Sequence, residues 1–347
     1  MLFGTSTGEE EAFAMLDRAR DHGINLLDTA EMYPVPQSAE SQGRSEAIVG
    51  KWLRSRTSRG GDVRREDVVV ATKVTGPSGQ MPWIRGGPPR VDARAIREAC
   101  EGSLRRLQVD CIDIYQVHWP DRYVPMFGET LYDASRRYAS VSLEEQMIAL
   151  GSLVEEGKVR RVGLSNETPW GLTKCCNLHA ASAAGGGESR YPRIHYLQNA
   201  YNLLCRSFDA SLAECCAEER VSLLAYSPLA MGLLTGKYHD GRGGPPSARL
   251  NLYRGRYSEA EQRYERTPRV MEAVGRYAAL AGRHGMTCTE LAIRFAASCD
   301  HLGSVVVGAT SCDQLDQVAA YARKGRLGEA LLREIDLIHR DLGSPAP

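Results

Sequence analysis

The sequence predicts an α/β protein built as a TIM (β/α)8 barrel. Short apolar segments alternate with longer amphipathic segments along the whole chain, and such short, nearly continuous apolar segments are typical of strands buried on both faces. Repeated strand-then-helix units imply right-handed crossovers and a parallel sheet, which is either open and doubly wound or closed into a barrel. The chain has no G-x-G-x-x-G or Walker A segment, the usual sign of an open nucleotide-binding sheet, so we favour the barrel.

Seven segments are predicted as strands. In chain order they are residues 24–27, 68–74, 111–117, 159–164, 196–200, 222–226 and 304–307. A barrel of this class needs eight strands, and the deficit lies at the front, because the helix predicted at residues 9–22 begins almost at once. We therefore expect one domain over residues 1–347 that lacks the N-terminal hairpin and the first barrel strand.

The segments between the strands carry helix signals. Residues 94–107 have an apolar face that consists of Ile96, Cys100, Leu104 and Leu107. Ser142 and Glu145 have the Ser-x-x-Glu spacing of a capping box, which predicts that a helix begins there. Residues 180–187, rich in glycine and alanine, are predicted as a flexible loop within the single domain.

The composition is that of an ordinary globular protein, with 43% hydrophobic and 25% charged residues. Lys plus Arg and Asp plus Glu each number 43, so the chain has no net charge with which to attract nucleic acid or an anionic membrane. No apolar segment reaches transmembrane length, and the first residues lack the features of a signal peptide. We expect a cytoplasmic protein, a monomer or weak oligomer, whose partner is a small molecule rather than nucleic acid or a membrane.

The ten cysteines are scattered and form no C-x-x-C pair. Two adjacent pairs occur, at residues 175–176 and 215–216, but neighbouring cysteines rarely bridge each other. We therefore expect reduced thiols packed as small apolar side chains, and we predict no metal site.

Three predicted strands end in residues that a buried strand would not choose. These residues are Asp28, Lys73 and His118, and Tyr33 follows five positions after the first. The carboxyl ends of the strands form the active-site face of a β/α barrel, so polar residues there indicate a shared site. Singly, each would more often be a capping carboxylate, a lysine that reaches solvent or a histidine packed in the core.

The four side chains together can support acid catalysis. A free phenol has a pKa near 10, too high for a good acid at neutral pH. An adjacent ammonium lowers that pKa, and a carboxylate keeps the ammonium charged and in place. We predict Tyr33 as the proton donor, Lys73 as the group that tunes it, Asp28 as the anchor of the lysine, and His118 as a donor that orients a carbonyl.

The motifs around these residues resemble a known family. The segments DTAEMY at 28–33, ATK at 71–73 and QVHW at 116–119 resemble the catalytic tetrad segments of the aldo-keto reductases in order and spacing. The run AEMYPVP at 30–36 is most similar to the Tas-like branch of that family. The resemblance covers nearly the whole chain and implies reduction of aldehydes or ketones to alcohols by hydride transfer from NADPH, with Tyr33 as the acid.

The same resemblance implies a set of NADP(H) contacts. The segment GLSNE at 163–167 resembles the part of the family that binds the nicotinamide carboxamide, which places Ser165 and Asn166 there together with Gln198, and Tyr226 matches the aromatic residue that stacks on the nicotinamide ring. The residues that match the pyrophosphate and adenosine contacts are Ser227, Pro228, Leu229, Gly232, Gly308, Thr310 and Gln314. A helix N-terminus after Thr310 also suits a phosphate.

Two basic residues are predicted to bind the 2′-phosphate that distinguishes NADPH from NADH. They are Lys237 and Arg249. Val318 stands where members of the family usually carry an asparagine that contacts the adenine, and this departure is expected to weaken NADPH binding.

The substrate is less defined by the sequence. Aromatic residues in two long loops offer walls for an apolar pocket: Trp83, Trp119, Phe127, Tyr132 and Tyr138. Two alternatives to an active reductase stay open. One is a barrel that binds NADPH as a redox-sensing subunit with little turnover, and the other is an inactive, truncated chain.

Overall fold

Seven parallel strands form a single sheet in the order in which they occur along the chain. The computed structural model describes residues 1–58, 61–184, 189–239 and 241–347. The strands are β1 (Leu26–Asp28), β2 (Val69–Val74), β3 (Ile112–Val117), β4 (Val159–Ser165), β5 (Ile194–Ala200), β6 (Ser222–Tyr226) and β7 (Leu302–Val306). All seven predicted strands are confirmed, and their ends differ from the prediction by at most two residues.

The sheet winds into a nearly closed barrel, which confirms the predicted fold class. Each strand pairs in parallel with its neighbours, so all carboxyl ends lie at one face. The register sets Asp28 beside Ala71, and Lys73 beside Gln116. Within the described residues β1 and β7 are the two edges of the sheet. The count of seven strands therefore agrees with the sequence analysis.

Thirteen α-helices surround the sheet in the described part of the chain. They are α1 (Glu9–Asp21), α2 (Arg44–Thr57), α3 (Ala93–Leu107), α4 (Leu143–Glu155), α5 (Pro169–Ala183), α6 (Ser207–Ala210), α7 (Leu212–Glu219), α8 (Arg249–Leu252), α9 (Ser258–Arg263), α10 (Pro268–Arg283), α11 (Cys288–Ala296), α12 (Cys312–Arg323) and α13 (Glu329–Leu342). None of the described helices is long and apolar enough to cross a membrane.

Helix α4 begins where the sequence predicts it, but with half of the expected capping box. The Ser142 side chain accepts a hydrogen bond from the Glu145 backbone N–H. The Glu145 side chain instead accepts from the backbone N–H of Ala93, in the first turn of α3. The expected reciprocal cap is thus replaced by a bond between two neighbouring helices.

The prediction of a loop at residues 180–187 is wrong for residues 180–183. Residues 180–183 belong to the last turn of α5, because alanine is the strongest helix former and three alanines occur there. Residues 185–187 lie outside the described residues.

The outer helices meet across the sheet edges. Helix α1 packs against α12, where His22 Nε2 lies 2.6 Å from Asp316 Oδ1. Arg323 Nη1 lies 3.0 Å from the other ring nitrogen of His22. The helical layer therefore joins the β1 side of the barrel to the β7 side even though these two strands do not pair in the described structure. Buried side chains from the strands and from the inner faces of the helices form one continuous core.

Candidate active site

The structure brings the four predicted catalytic residues together at the carboxyl ends of β1, β2 and β3. Lys73 is fully buried, and its Nζ donates to Asp28 Oδ2 at 2.7 Å and to the Thr29 carbonyl at 2.8 Å. Tyr33 lies in the loop after β1, with its Oη 3.5 Å from His118 Nε2. The ammonium of Lys73 is 5.5 Å from the centre of the Tyr33 ring. An acid, a cation and an imidazole thus face one space.

Burial controls the protonation of these groups. It raises the pKa of Tyr33 well above its usual value of 10.0, and the charge of Asp28 acts in the same direction. The lowered pKa predicted from the sequence is therefore wrong in direction, because the loss of water around the phenol, and not the ammonium of Lys73, dominates. Burial also lowers the pKa of His118 well below 6.5, and the charge of Lys73 adds to this effect. At neutral pH Tyr33 therefore carries its proton and His118 is an uncharged imidazole.

The loop that carries Tyr33 is held by a buried ion pair that the sequence analysis missed. Glu31 is 1% exposed, and it accepts from the backbone N–H of Thr75 at 2.6 Å. Arg85 donates to the same Glu31 oxygen and also to the Arg90 carbonyl at 3.0 Å. The signal in the sequence was the carboxylate of Glu31 between two apolar residues, Ala30 and Met32.

The predicted nicotinamide contacts form one hydrogen-bonded group. Tyr226 Oη lies 2.6 Å from Asn166 Oδ1, and the Asn166 amide donates to the His118 carbonyl at 2.9 Å. Ser165 Oγ donates to the backbone carbonyl of Gln198 at 2.8 Å. The side chain of Gln198 then donates to Asp28 Oδ1 at 2.8 Å. The predicted cofactor residues are therefore bonded directly to the predicted catalytic ones.

The segment after β6 is a tight loop in which several residues have positive φ angles. Pro228 and Leu229 lead into the short 3-10 helix Ala230–Thr235, and Ser227 and Gly232 have φ angles of +54° and +98°. The φ of +98° at Gly232 is one that side chains rarely adopt, so this backbone conformation favours glycine, and the Lys237 side chain packs close to it.

The segment after β7 presents polar groups beside a helix start. The Thr310 backbone N–H and hydroxyl lie 3.1 Å from Gln314 Oε1, and Ser311 caps α12 by accepting from the Gln314 backbone. Gly308 has open space where a side chain would stand. Val318 is buried in α12, which fits its apolar character.

The two predicted phosphate-binding cations have no carboxylate partner among the described residues. Burial lowers the pKa of Lys237, and its Nζ lies 5.8 Å from the centre of the Tyr238 ring. The Arg249 guanidinium contacts Met1 Sδ at 3.1 Å and the Tyr257 ring at 5.7 Å, and its buried Nε has no hydrogen-bond partner in the part of the chain that the structure describes. The positive charge of Arg249 acts on the pKa of Tyr33, so it lies near the catalytic residues.

A segment that the sequence analysis did not assign covers the site. Arg263, at the end of α9, donates to Tyr226 Oη at 2.6 Å. Tyr257 is buried, and its hydroxyl donates to Glu259 at 2.5 Å. No sequence motif marks these residues, because their role depends on how α8 and α9 fold back over the barrel.

Two of the five predicted pocket aromatics join the site. The Trp119 ring lies 4.8 Å from the His118 ring and 6.0 Å from the Phe127 ring, measured between centroids. Tyr132 and Tyr138 are 57% and 48% exposed, so they do not line a closed pocket. Trp83 is partly buried and packs on the core.

The fold and the site define a β/α-barrel protein with an acid–base site at the carboxyl face of the sheet. The family model for the aldo/keto reductase family matches residues 1–339. The chain therefore belongs to the aldo/keto reductase family, an oxidoreductase family that generally uses NAD(P)H to reduce carbonyl compounds.

Relatives with curated descriptions agree with this assignment. The chain is 40% identical to "Protein tas" of Escherichia coli over all of this chain and 94% of that protein. It is 36% identical to an aldo-keto reductase of Babesia bovis over 78% of this chain and 95% of that protein. It is also 28% identical to a "Probable voltage-gated potassium channel subunit beta" of Arabidopsis thaliana, over 91% of this chain and 83% of that protein.

Proposed function

We propose that this protein reduces aldehydes and ketones to alcohols with NADPH, with Tyr33 as the general acid. The observation that carries the proposal is the continuous bonding between two groups of residues. Asp28 binds Lys73 through one carboxylate oxygen and Gln198 through the other, at 2.7 and 2.8 Å. A single carboxylate therefore links the predicted acid–base residues to the predicted nicotinamide contacts.

Each residue has a defined task in the proposed reaction. When bound, NADPH supplies the hydride that adds to the carbonyl carbon. Tyr33 donates its proton to the carbonyl oxygen, so the hydride and the proton together give the alcohol. The neutral His118 orients that oxygen through Nε2, and Lys73 with Asp28 stabilises the phenolate that Tyr33 becomes. Burial of these groups excludes water and strengthens their interactions.

The residues present fit NADPH. Ser165, Asn166, Gln198 and Tyr226 would hold the nicotinamide half. The phosphates and the adenosine would bind at three places: the glycine backbone at Gly232, the polar N-terminus of α12 and the open space at Gly308. The half-buried ammonium of Lys237 favours a ligand with an additional phosphate, whereas Arg249, which is held against Met1 and Tyr257 near Tyr33, would have to turn toward that phosphate to bind it. The partner in this proposal is a small carbonyl compound.

The direct test is removal of the phenol proton. We expect Tyr33→Phe to lower kcat for 4-nitrobenzaldehyde by at least about 100-fold, the usual contribution of a general acid, while the Kd of NADPH changes by less than about threefold. Tyr132→Phe is the matched control, because that tyrosine is 57% exposed, and it should leave kcat unchanged. Near-normal turnover by Tyr33→Phe would overturn the mechanism.

A second candidate function is an NADPH-binding sensor barrel with little turnover. The observation that supports this candidate is the similarity to the relative described as a potassium channel subunit beta, which spans 91% of this chain. Oxidation of bound NADPH in a single turnover with excess aldehyde separates the two functions. A reductase oxidises the bound cofactor within seconds and releases the alcohol, whereas a sensor retains reduced cofactor for many minutes.

A further inference from the structure

Arg263 is a buried cation that the proposed reaction does not use. It is 7% exposed, and its guanidinium lies 5.4 Å from the centre of the Phe127 ring and 5.8 Å from that of Tyr226. Its Nη1 donates to Tyr226 Oη at 2.6 Å, and its Nε donates to the Pro347 carbonyl at 3.0 Å. Burying a guanidinium is costly, and a carboxylate oxygen of Glu259, 3.6 Å from Nη1, supplies the opposite charge that these hydrogen bonds lack.

The Arg263 contact sets the direction of the hydrogen bonds beyond it. A guanidinium can only donate, so the Tyr226 hydroxyl accepts from Arg263 and gives its own proton to Asn166 Oδ1, 2.6 Å away. The Asn166 carbonyl oxygen is thereby turned toward Tyr226. Its amide nitrogen then faces the other way, where it donates to the His118 carbonyl at 2.9 Å and to Ser165 Oγ at 3.2 Å.

The same series of bonds reaches the catalytic residues. Ser165 Oγ donates to the Gln198 backbone, and the Gln198 side chain donates to Asp28, the partner of Lys73. The amide of an asparagine can otherwise bind in either of two orientations. The His118 carbonyl can only accept and therefore favours the same orientation, and the donation from Arg263 makes the Tyr226 hydroxyl reinforce it from the other side.

We propose that Arg263 is a positioning residue for the nicotinamide half of the cofactor. It acts through the Tyr226 hydroxyl, which fixes both the tyrosine ring and the orientation of the Asn166 amide. This inference rests on the proposed function, because it requires Asn166 and Tyr226 to contact the nicotinamide. The competing role is purely structural, in which Arg263 only anchors the C-terminal segment through the Pro347 carbonyl.

Two ligands separate these roles by binding alone. NADPH contains the nicotinamide, whereas 2′-phospho-ADP-ribose contains the same phosphates and adenosine without it. We expect Arg263→Met to raise the Kd of NADPH by about tenfold, as loss of a charged hydrogen-bond donor does, and that of 2′-phospho-ADP-ribose by less than about twofold. Titration calorimetry measures both constants.

The matched control is Arg269→Met. Arg269 donates to the Leu342 carbonyl through Nε at 3.1 Å and Nη2 at 2.6 Å, so it anchors the same C-terminal segment without contacting Tyr226. It should leave both dissociation constants unchanged. An equal loss of affinity for both ligands in Arg263→Met would overturn the positioning role in favour of the structural one.

A double-mutant cycle tests the route through Tyr226. Tyr226→Phe should reproduce the selective loss of NADPH affinity, and Arg263→Met should add no further loss in that background. Arg263→Lys, which keeps a donor at the site, should recover part of the affinity. If Arg263→Met does not fold, Arg263→Lys still decides the question, because a structural role predicts the same change in affinity for both ligands, whereas the positioning role predicts a loss that is confined to NADPH.

The same titrations keep the inference separate from the proposed function. A wild-type protein that binds NADPH no more tightly than 2′-phospho-ADP-ribose would overturn the nicotinamide site, and the inference with it. A wild-type preference for NADPH that Tyr226→Phe does not reduce would overturn the inference alone.

Discussion

At the scale of single residues, loss of water outweighs the charged neighbours of the site. Lys73 has a carboxylate 2.7 Å away, yet its pKa is lowered from 10.5, because burial penalises the ammonium more than Asp28 favours it. The pKa values of Tyr33 and His118 shift in the directions that keep them neutral. A neutral acid and a neutral hydrogen-bond donor suit a carbonyl substrate, which becomes negative at oxygen only as the hydride arrives.

The buried neutral His118 predicts how stability depends on pH. Its pKa in the folded protein lies well below 6.5, so the unfolded chain binds more protons as the pH falls through 6.5. The contribution of the neutral His118 to stability is therefore lost as the pH falls below 6.5. We expect the melting temperature of the wild-type protein to decrease as the pH is lowered from 7 to 5.5. The melting temperature of His118→Asn should decrease less steeply over the same range. An equal slope in both proteins would show that His118 does not titrate as its burial requires.

If Arg249 binds the 2′-phosphate, the protein should prefer NADPH to NADH. A charged hydrogen bond to phosphate contributes roughly 1.5–3 kcal/mol, which corresponds to about one to two decades in affinity. We expect Arg249→Ala to weaken NADPH binding by that amount and NADH binding by much less, as measured by fluorescence titration. Arg254→Ala, an exposed arginine in the same segment, is the control. Equal dissociation constants for NADPH and NADH in the wild-type protein would contradict the prediction.

At the scale of elements, the site depends on loops that the barrel strands hold in register. The Tyr33 loop follows a strand of only three residues, so the strand alone gives it little support. The buried pair of Glu31 and Arg85 ties this loop to the segment after β2. Gly76 lies in that segment, where a Cβ would come within 2.4 Å of the Trp119 ring. Ion pairing and close packing together therefore position the two loops beside β3.

The Glu31 pair can be tested through stability. We expect Glu31→Gln to lower the free energy of unfolding by about 3–5 kcal/mol, because Arg85 is left buried without its charge partner. The double variant Glu31→Gln, Arg85→Gln should be more stable than the sum of the single effects predicts. Urea unfolding measures both. Glu66→Gln, which removes an exposed pair with Arg64, should leave the midpoint unchanged, and the same small effect at Glu31 would refute the loop-anchoring role.

At the scale of the whole molecule, the outer helices hold together a barrel whose inner sheet has two edges. The contacts of His22 with Asp316 and Arg323 join α1 to α12 across the β1–β7 boundary. Both strands at this boundary are short, with three and five residues. Unpaired strand edges expose backbone groups and favour association with other chains.

This arrangement predicts the effect of an added strand. Met1 lies beside the loop that follows β1, where its carbonyl accepts a hydrogen bond from the Val35 backbone. We predict that a strand fused before Met1 pairs with the free edges of β1 and β7 in the described sheet. We expect a six-residue apolar strand, fused before Met1, to raise the melting temperature by at least about 4 °C and to reduce aggregation. A glycine–serine extension of equal length is the control. Equal midpoints for the two extensions would show that the boundary does not accept a strand.

The sequence by itself determined the barrel class, the seven strands and the four residues at the carboxyl face. It could do so because buried parallel strands are continuous apolar runs, and a charged residue at the end of such a run is visible without tertiary information. The Ser-x-x-Glu spacing likewise located the N-cap of α4.

Only the tertiary structure decided which long-range contacts complete the site. The partners of Asp28 and Tyr226, which are Gln198 and Arg263, lie 170 and 37 positions away along the chain. The direction of the Tyr33 pKa shift was wrong in the sequence analysis for the same reason. Burial is a property of the packed molecule, and neither the loss of water around a phenol nor the fold of α8 and α9 over it is encoded in any short segment.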